Sequence, residues 1–477
     1  MEIAEVYDDH DAVGLAQLVR RGEVTPTELL EEALRRIEER DGAINSIVLD
    51  LQHRARSAIA AGLPDGPFTG VPFALKDLNT NIEGEISTEG SRFFADRRAT
   101  VTSEIVRRFD RAGFVVFAKT SSPEFGLSPT TEPLLHGPTR NPWHRDHSAG
   151  GSSGGAGAAV AAGILPVAHA TDGGGSIRIP ASANGLFGLK PTRGRTPFGP
   201  PLGQGWNGLS IGHVISRSVR DSAVVLDAIA GSSVGEPYSA PAPPGAYGPW
   251  VDRPPRPLRI ATSTTSRPGV DVEPVCVEAV ERTAALLEEL GHEVEPADPP
   301  IDWDLMAQVQ GTIIGANVAV LIAQRAAELG REPGPDDLEP LALAQYHRAP
   351  GLSAVDYARA DHAQQLLSRR LGTFFETIDV LVTPTLGGAP VPIGALGGSV
   401  DDLASLAPAL SKVASFLGVY NATGQPAMSV PLHHSPEGLP IGVQFVGRFG
   451  AEHTLLSLAG QLERARPWWS RRPVPWW

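Results

Sequence analysis

Hydrophobic residues along the chain fall into two patterns, helical spacing and short continuous runs, and glycines often separate the two. The segment TPTE at 25–28 predicts the start of a helix, with Thr25 as N-cap, a proline at the first helical position and Glu28 completing a capping box. Apolar residues at helical spacing follow from residue 29. The spacing therefore predicts an amphipathic helix near the N-terminus.

A helix–glycine–strand unit then recurs. Residues 103–112 predict an amphipathic helix, Gly113 ends it, and FVVFAK at 114–119 predicts a strand; residues 280–297 repeat the arrangement. TGVPFALKDL at 69–78 predicts a short buried strand that runs into a loop. Such alternation is typical of an α/β fold with a largely parallel or mixed sheet.

A proline-rich stretch interrupts this pattern, with eight prolines between residues 237 and 257. It is either a surface loop or a domain linker. We favour a loop, because LRIATS at 258–263 and TIDVLVTPT at 377–385 predict further strands of the same kind of sheet. We therefore expect a single domain over residues 1–477, with a Pro-rich surface loop at about 237–257.

Composition narrows the class of protein. The chain has 477 residues, 42% hydrophobic and only 6% aromatic, which indicates a large core of small aliphatic side chains. A net charge of −14 argues against nucleic acid or an anionic membrane as partner. The sequence shows neither a signal peptide nor a continuous apolar run long enough to span a membrane. The single cysteine, Cys276, is expected to be a buried core residue, and we expect a soluble cytoplasmic protein.

Lysine is rare here. Only four of the 40 basic residues are lysines, and the rest are arginines. Arginine does not release its proton in a protein, whereas burial lowers the pKa of a lysine enough for it to act as a base. Each lysine is thus a candidate for a chemical role, with chance retention as the alternative. They are Lys76, Lys119, Lys190 and Lys412.

A glycine- and serine-rich segment, SAGGSSGGAG at 148–157, suits neither helix nor strand. A flexible linker is disfavoured because structured sequence follows it directly. The segment matches G-x-S-x-G, but that nucleophile motif requires a buried strand before it, and the preceding residues are polar. A phosphate-binding loop would need a lysine at its end. Ser152 therefore fits best in a site completed elsewhere in the chain.

A second such segment, TDGGGS at 171–176, supports that interpretation. Three successive glycines allow backbone N–H groups to converge on one point, which suits the oxyanion formed when a carbonyl is attacked. Ser176 at the edge of this loop is placed to attack such a carbonyl. An ordinary glycine-rich turn is the alternative.

The combination of these segments resembles the amidase signature family. Members carry a lysine after a G-V-P strand, a G-G-S-S-G-G loop, and a D-x-G-G-S-I-R segment followed by G-L-K-P-T. This chain has them in order at 70–78, 150–155, 172–178 and 188–192, and the resemblance spans nearly the whole chain. It is similar in particular to 6-aminohexanoate cyclic-dimer hydrolases and to aryl acylamidase-like members. Gly173 departs from the pattern, because many members have a larger residue there.

The resemblance implies an α/β/α fold with a mixed, twisted central sheet flanked by helices. It also implies hydrolysis of carboxamide C–N bonds through a serine acyl-enzyme, with a small amide as substrate, no cofactor and no metal. Ser176 would be the nucleophile, Lys76 the neutral base, and Ser152 the proton relay between them. The family places the bridging serine at a cis peptide. We expect a monomer or a homodimer.

Further roles follow from the same resemblance. The oxyanion would be held by backbone N–H groups, and three side chains would support the site structurally. A neutral lysine base also requires the neighbouring Asp77 to point away or to pair elsewhere, and we expect Lys119 and Lys190 to be structural. The four N–H groups are those of Gly173, Gly174, Gly175 and Ser176. The three supporting residues are Ser153, Asp172 and Arg178.

Substrate preference is the least specified property. The acyl pocket is expected to form from residues 204–206, 306–325 and part of 410–425, which are mostly apolar and suit aliphatic or aryl amides. A carbamate or ester hydrolase, or the glutamine-hydrolysing subunit of a tRNA-dependent amidotransferase, are the alternatives. We expect His144 and His147 to lie in a solvated loop, and the tryptophan-rich tail at 467–477 to dock onto its own domain.

Overall fold

A computed structural model of the chain describes residues 2–398 and 403–477. The strands are β1 (Ile47–Asp50), β2 (Pro72–Lys76), β3 (Val115–Thr120), β4 (Arg140–Asn141), β5 (His144–Ser148), β6 (Val167–Asp172), β7 (Phe187–Lys190), β8 (Ile211–Ser216), β9 (Arg259–Thr262), β10 (Glu293–Pro296), β11 (Val380–Pro384), β12 (Ala427–His434) and β13 (Pro440–Gly447). The helices are α1 (Ile3–Asp9), α2 (Ala12–Arg20), α3 (Pro26–Arg36), α4 (Gly42–Ile44), α5 (Gln52–Ala61), α6 (Glu104–Arg111), α7 (Gly154–Ala161), α8 (Arg178–Ala183), α9 (Val219–Ile229), α10 (Pro274–Glu289), α11 (Trp303–Val309), α12 (Gly315–Leu329), α13 (Pro340–Arg348), α14 (Ala354–Thr377), α15 (Leu403–Ala414), α16 (Gly418–Thr423) and α17 (Glu452–Ala465).

Eight of these strands form a mixed sheet in the order β10-β9-β11-β13-β12-β7-β8-β6. Pairing is parallel among β10, β9 and β11, and antiparallel between the remaining neighbours. A three-stranded sheet, β1-β3-β2, stands beside β6, where the backbone N–H of Lys76 donates to His169 Nδ1 at 3.3 Å. The ends of β2 and β6, which carry the predicted site segments, therefore lie next to each other.

Helices cover both faces of the large sheet. Successive residues of a strand point to opposite faces, and in β11 Val380 and Val382 join one apolar cluster while Leu381 joins another. The first cluster includes residues of α9, α10 and α17, and the second includes residues of α11, α14 and α16. The predicted α/β/α architecture with a mixed central sheet is confirmed.

Individual predicted elements are also confirmed. Thr25 and Glu28 form the capping box at the start of α3, and α6 with β3 forms the first helix–glycine–strand unit. Residues 237–257 contain a single 3₁₀ turn and otherwise lack regular structure in the described chain. They are held by the Asp227 carboxylate, which accepts hydrogen bonds from the N–H groups of Tyr247 and Gly248 at 2.6 and 2.8 Å. That the chain is a single domain stays a prediction.

One helical stretch, Trp303–Leu329, is long and apolar enough to cross a membrane by length and composition. It comprises α11, a π-helical turn at Gln310–Ile314, and α12. Its buried side chains, among them Met306, Val309 and Ile322, pack into the protein's own apolar clusters. Core helices of globular proteins meet the same criterion, so this stretch is weak evidence for a membrane span.

The C-terminal tail packs back onto the body of the protein. Trp468 is 2% exposed, and its indole N–H donates to the carbonyl of Arg217 at 2.8 Å. The indole N–H of Trp476 donates to the carbonyl of Pro142 at 2.8 Å. The predictions that the tail docks onto its own chain and that Cys276 is buried are both confirmed.

We expect Trp468→Ala to lower the free energy of unfolding by about 3 kcal/mol or more, because it empties a buried site and removes a hydrogen bond. Val474→Ala, at a tail residue that is 83% exposed, is the matched control and should change it by less than about 0.5 kcal/mol. Denaturant unfolding measures both. Equal effects of the two substitutions would contradict the docked tail.

Candidate active site

Three elements carry the predicted catalytic side chains. Lys76 is the last residue of β2, Ser152 precedes α7, and Ser176 lies in the loop between β6 and α8. The peptide bond between Gly151 and Ser152 is cis, as the family resemblance implies. Because β2 lies beside β6, residues far apart in sequence meet at one end of the two strands.

Lys76 is fully buried, and its amine contacts two hydroxyl groups. Its Nζ lies 2.7 Å from Ser152 Oγ and 2.9 Å from Thr171 Oγ1. Burial lowers the pKa of Lys76 to about 7, although the charges of Asp172 and Glu89 oppose the shift. The amine is therefore substantially neutral near pH 7, as a general base must be.

The carboxylate of Asp77, next to Lys76 in sequence, is turned to other partners. It accepts hydrogen bonds from the backbone N–H of Thr88 at 3.2 Å and from Lys119 Nζ at 3.2 Å. Lys119 also donates to the carbonyl of Ile86 at 3.0 Å. The expectation that Asp77 pairs elsewhere is confirmed, and Lys119 is the buried cation that holds it there.

The Ser152 loop is anchored to β6 by its neighbour. Ser153 Oγ donates to the carbonyl of Thr171 at 3.2 Å and accepts the N–H of the same residue at 3.3 Å. Close packing explains the glycines of this segment. A Cβ atom on Gly151 would lie 2.6 Å from the carbonyl oxygen of Thr130. The segment is thus tightly packed backbone rather than linker.

The loop that carries Ser176 is organised around the Asp172 carboxylate. The backbone N–H groups of Gly175 and Ile177 donate to it at 2.7 and 3.2 Å, and the guanidinium of Arg178 donates through two nitrogens, each at 2.9 Å. Asn421 Nδ2 adds a contact at 2.8 Å. Burial alone would raise the pKa of Asp172, but the Arg178 charge and these hydrogen bonds outweigh it and lower that pKa. Asp172 is therefore ionised and fixes the loop.

Ser176 itself is half-buried, and its hydroxyl has no hydrogen-bond partner among the described residues. Of the four N–H groups predicted to hold an oxyanion, that of Gly175 donates to Asp172. Those of Gly173, Gly174 and Ser176 have no partner in the part of the chain that the structure describes. Three of the four donors are thus available to a ligand.

Sequence reasoning gave no role to Thr171, His169 or Asn421. Thr171 supports the Lys76 amine, and His169 joins β2 to β6 through the Lys76 backbone. Asn421 donates to both the carboxylate and the carbonyl of Asp172, across 249 positions of sequence. No local pattern predicts such a contact. The only available signal was that the family resemblance spans nearly the whole chain and so also covers VAHATD at 167–172 and NATGQPAMSVP at 421–431.

Two of the three segments expected to form the pocket border the Gly173–Ser176 loop, and the third packs against one of them. A Cβ atom on Gly173 would lie 2.6 Å from the ring of Trp206, and one on Gly175 would lie 2.6 Å from Leu417. Gln310 packs against Gly418, next to Leu417. The walls nearest the loop are thus mostly apolar.

Two other candidate residues lie away from this site. His144 and His147 were expected in a solvated loop but instead lie on the surface strand β5, with their Nδ1 atoms 3.0 Å apart. Within residues 2–398 and 403–477, no group of three or more potential metal-ligating side chains is assembled. Lys190, also buried, donates to the carbonyl of Pro191 at 2.9 Å.

Known proteins resemble the chain over its whole length. The amidase family model matches residues 28–456. The 6-aminohexanoate-cyclic-dimer hydrolase of Paenarthrobacter ureafaciens is 37% identical over 476 residues, which cover 97% of this chain and 96% of that protein. A structure of 6-aminohexanoate cyclic dimer hydrolase complexed with substrate superposes with a TM-score of 0.92 at 35% identity, covering 99% of each chain. A bacterial aryl acylamidase superposes with a TM-score of 0.86 at 28% identity, covering 98% of this chain and 99% of that one.

We expect Arg178→Met to lower the free energy of unfolding by about 3–5 kcal/mol, because it leaves the buried Asp172 carboxylate without its cation. Arg145→Met, which breaks a surface pair with Asp146, is the matched control and should lower it by less than about 0.5 kcal/mol. Denaturant unfolding at neutral pH compares them. A loss at Arg178 no larger than at Arg145 would contradict the role given to the Asp172 carboxylate.

Proposed function

The chain belongs to the amidase family and hydrolyses the C–N bond of carboxamides, and from this premise we propose that Ser176, Ser152 and Lys76 carry the reaction. The observation that carries the proposal is the buried contact of 2.7 Å between Lys76 Nζ and Ser152 Oγ. A neutral amine accepts a hydroxyl proton, whereas a protonated lysine has no lone pair to do so. The lowered pKa of Lys76, about 7, supports this role.

In the acylation step, Ser176 Oγ attacks the amide carbonyl carbon. Its proton passes to Ser152 Oγ while the Ser152 proton passes to Lys76 Nζ. The carbonyl oxygen becomes an oxyanion, which backbone N–H groups of Gly173, Gly174 and Ser176 stabilise. The C–N bond then breaks as the proton returns from Lys76 through Ser152 to the leaving nitrogen, and an acyl-enzyme and a free amine result.

In the deacylation step, water replaces the amine. Ser152 and Lys76 take the water proton by the same relay as the hydroxide adds to the acyl carbon. The second oxyanion collapses, Ser176 Oγ leaves with the returned proton, and a carboxylic acid is released. The lysine begins and ends each half-reaction neutral, so the proton relay is restored after each step.

We propose uncharged aliphatic or aryl amides, including linear and cyclic oligoamides, as the substrate class. The apolar contacts of Trp206 and Leu417 with the Gly173–Ser176 loop support this proposal. Carbamates and esters would pass through the same acyl-enzyme chemistry, and no specific observation favours them or a glutamine-hydrolysing subunit. We further propose that the protein is one cytoplasmic domain acting as a monomer or a homodimer.

We expect Ser176→Ala to lower kcat/KM for amide hydrolysis by at least about 10³-fold, because it removes the hydroxyl group that forms the acyl-enzyme. Ser57→Ala, at an exposed position on α5, is the matched control and should leave the rate unchanged. A panel of chromogenic anilides, aliphatic amides, a carbamate and glutamine measures both variants. Hydrolysis that survives in Ser176→Ala would exclude Ser176 as nucleophile, and turnover of glutamine alone would indicate the amidotransferase subunit.

The pH dependence of kcat/KM should follow the protonation of the Lys76 amine. Since its pKa is lowered to about 7, the neutral base is present above that pH and lost below it. We expect kcat/KM to fall about tenfold per pH unit below pH 7 and to level off above it. Burial also lowers the pKa of Lys190 to about 7, so Lys190→Met is the control and should keep the same acid limb. Loss of that limb in Lys190→Met, or a flat profile down to pH 5, would contradict the assignment.

A further inference from the structure

The ring of Trp206 occupies the space that a side chain at Gly173 would take. A Cβ atom on Gly173 would lie 2.6 Å from Trp206 Cζ3 and 2.7 Å from Cε3, well inside van der Waals contact. Gly173 is also the first residue of the loop that leads to Ser176. The indole therefore lies directly against the loop that carries the oxyanion donors.

The turn that carries Trp206 is held by several hydrogen bonds. Trp206 and Asn207 have φ angles of +50° and +52°, and the N–H groups of Gly208 and Ser210 both donate to the carbonyl of Gly205 at 3.1 Å. Asn207 Nδ2 donates to Asp361 Oδ1 on α14 at 2.9 Å. The backbone that carries the indole is therefore tied within the turn and, through Asn207, to α14.

The ring packs against apolar side chains and is also partly exposed. It packs against the cluster that contains Met306 and Val309 and against the cluster that contains Phe94 and Phe125, with Ile314 shared by both. Trp206 nevertheless stays only half-buried. A firmly backed, partly open aromatic ring beside a reactive serine is a suitable wall for a substrate pocket.

We propose that Trp206 is a specificity-determining residue, which narrows the acyl side of the site and selects acyl groups unbranched at the carbon next to the carbonyl. Gly173 is the residue that admits the indole. The indole lies against Gly173, so this proposal directs the α-carbon of a carbonyl held by the Gly173 and Gly174 N–H groups towards the ring, where an added methyl group would meet the indole. This inference rests on the proposed function, since it assigns the acyl group of the same acyl-enzyme.

The contact itself is tested by thermal unfolding of Gly173→Ala, Trp206→Ala and the double variant. The alanine methyl at position 173 meets the indole, so Gly173→Ala should lower the melting temperature by several degrees in the wild-type background. In the Trp206→Ala background the same change should have little effect, because the two substitutions are coupled. Additive shifts would overturn the pairing, and this readout does not depend on activity.

Selectivity is tested with hexananilide and 2-methylhexananilide, which differ only in branching of the acyl group. We expect the wild type to prefer the unbranched anilide by roughly 10-fold to 100-fold in kcat/KM, because one added methyl group commonly changes kcat/KM by such a factor. Trp206→Ala should reduce that preference to within about threefold, and Trp206→Phe should give an intermediate value. Trp469→Ala, in the tail, is the aromatic control and should keep the wild-type ratio.

A second pair of amides, which differ only in branching of the amine group, distinguishes the acyl side of the pocket from the amine side. A change of preference confined to the amine series, or an unchanged acyl ratio in Trp206→Ala, would overturn the proposal while amide hydrolysis stands. A wild type that hydrolyses no amide, or hydrolysis that survives in Ser176→Ala, would instead overturn the proposed function and this inference with it.

Discussion

A lysine amine that is buried and has no carboxylate partner among the described residues is the constraint on which the rest of this site depends. Burial favours the neutral amine, and one misplaced carboxylate would restore the charge and remove the base. The nearest acidic side chain in sequence, Asp77, is held by Lys119 instead. The environment of Lys76 is therefore made of hydroxyl groups, from Ser152 and Thr171, which hydrogen-bond to an amine without fixing its charge.

The second buried ionisable group, Asp172, is stabilised in its charged form. Asp172 is as deeply buried as Lys76 but is surrounded by donors, so it stays ionised while shaping the backbone that presents Ser176. Its partners come from the adjacent loop, from α8 and from α16, so the loop is tied to helices formed far apart in the sequence. Arg178 neutralises this carboxylate. The Asp172 carboxylate therefore fixes the loop that carries Ser176, and the Arg178 guanidinium balances its buried charge.

Much of the fold and of the site was predictable, because both are carried by local patterns. The capping box at Thr25 and the helix–glycine–strand unit around Gly113 are properties of contiguous residues, and the structure reproduces them. The orientation of the Asp77 carboxylate away from the Lys76 amine was also predictable, because a nearby carboxylate would raise the pKa of a lysine that must be neutral. The glycine-rich segment at 148–157 was predicted to belong to a site rather than to a flexible linker, although no pattern indicated Thr130 as the neighbour that packs against Gly151.

The unpredicted features are contacts between distant segments. Asn421 reaches Asp172 only because α16 packs beside the loop after β6, and Trp206 meets Gly173 only because its turn is tied to α14. The hydrogen bond from the Gly175 N–H to Asp172 was also hidden in the sequence. Four equivalent oxyanion donors were expected from Gly173, Gly174, Gly175 and Ser176. The N–H group of Gly175 is already engaged, because it donates to the Asp172 carboxylate that orders the loop.

The central claim, that a lysine-activated serine forms a covalent acyl-enzyme, is tested most directly by acid-quenching the enzyme during turnover of an anilide and mapping its peptides by mass spectrometry. The account predicts that the mass of the acyl group appears on the peptide containing Ser176, and that a Lys76→Ala variant quenched under the same conditions accumulates none. An acyl group on any other residue, or full turnover without a covalent adduct in a rapid quench, would contradict it.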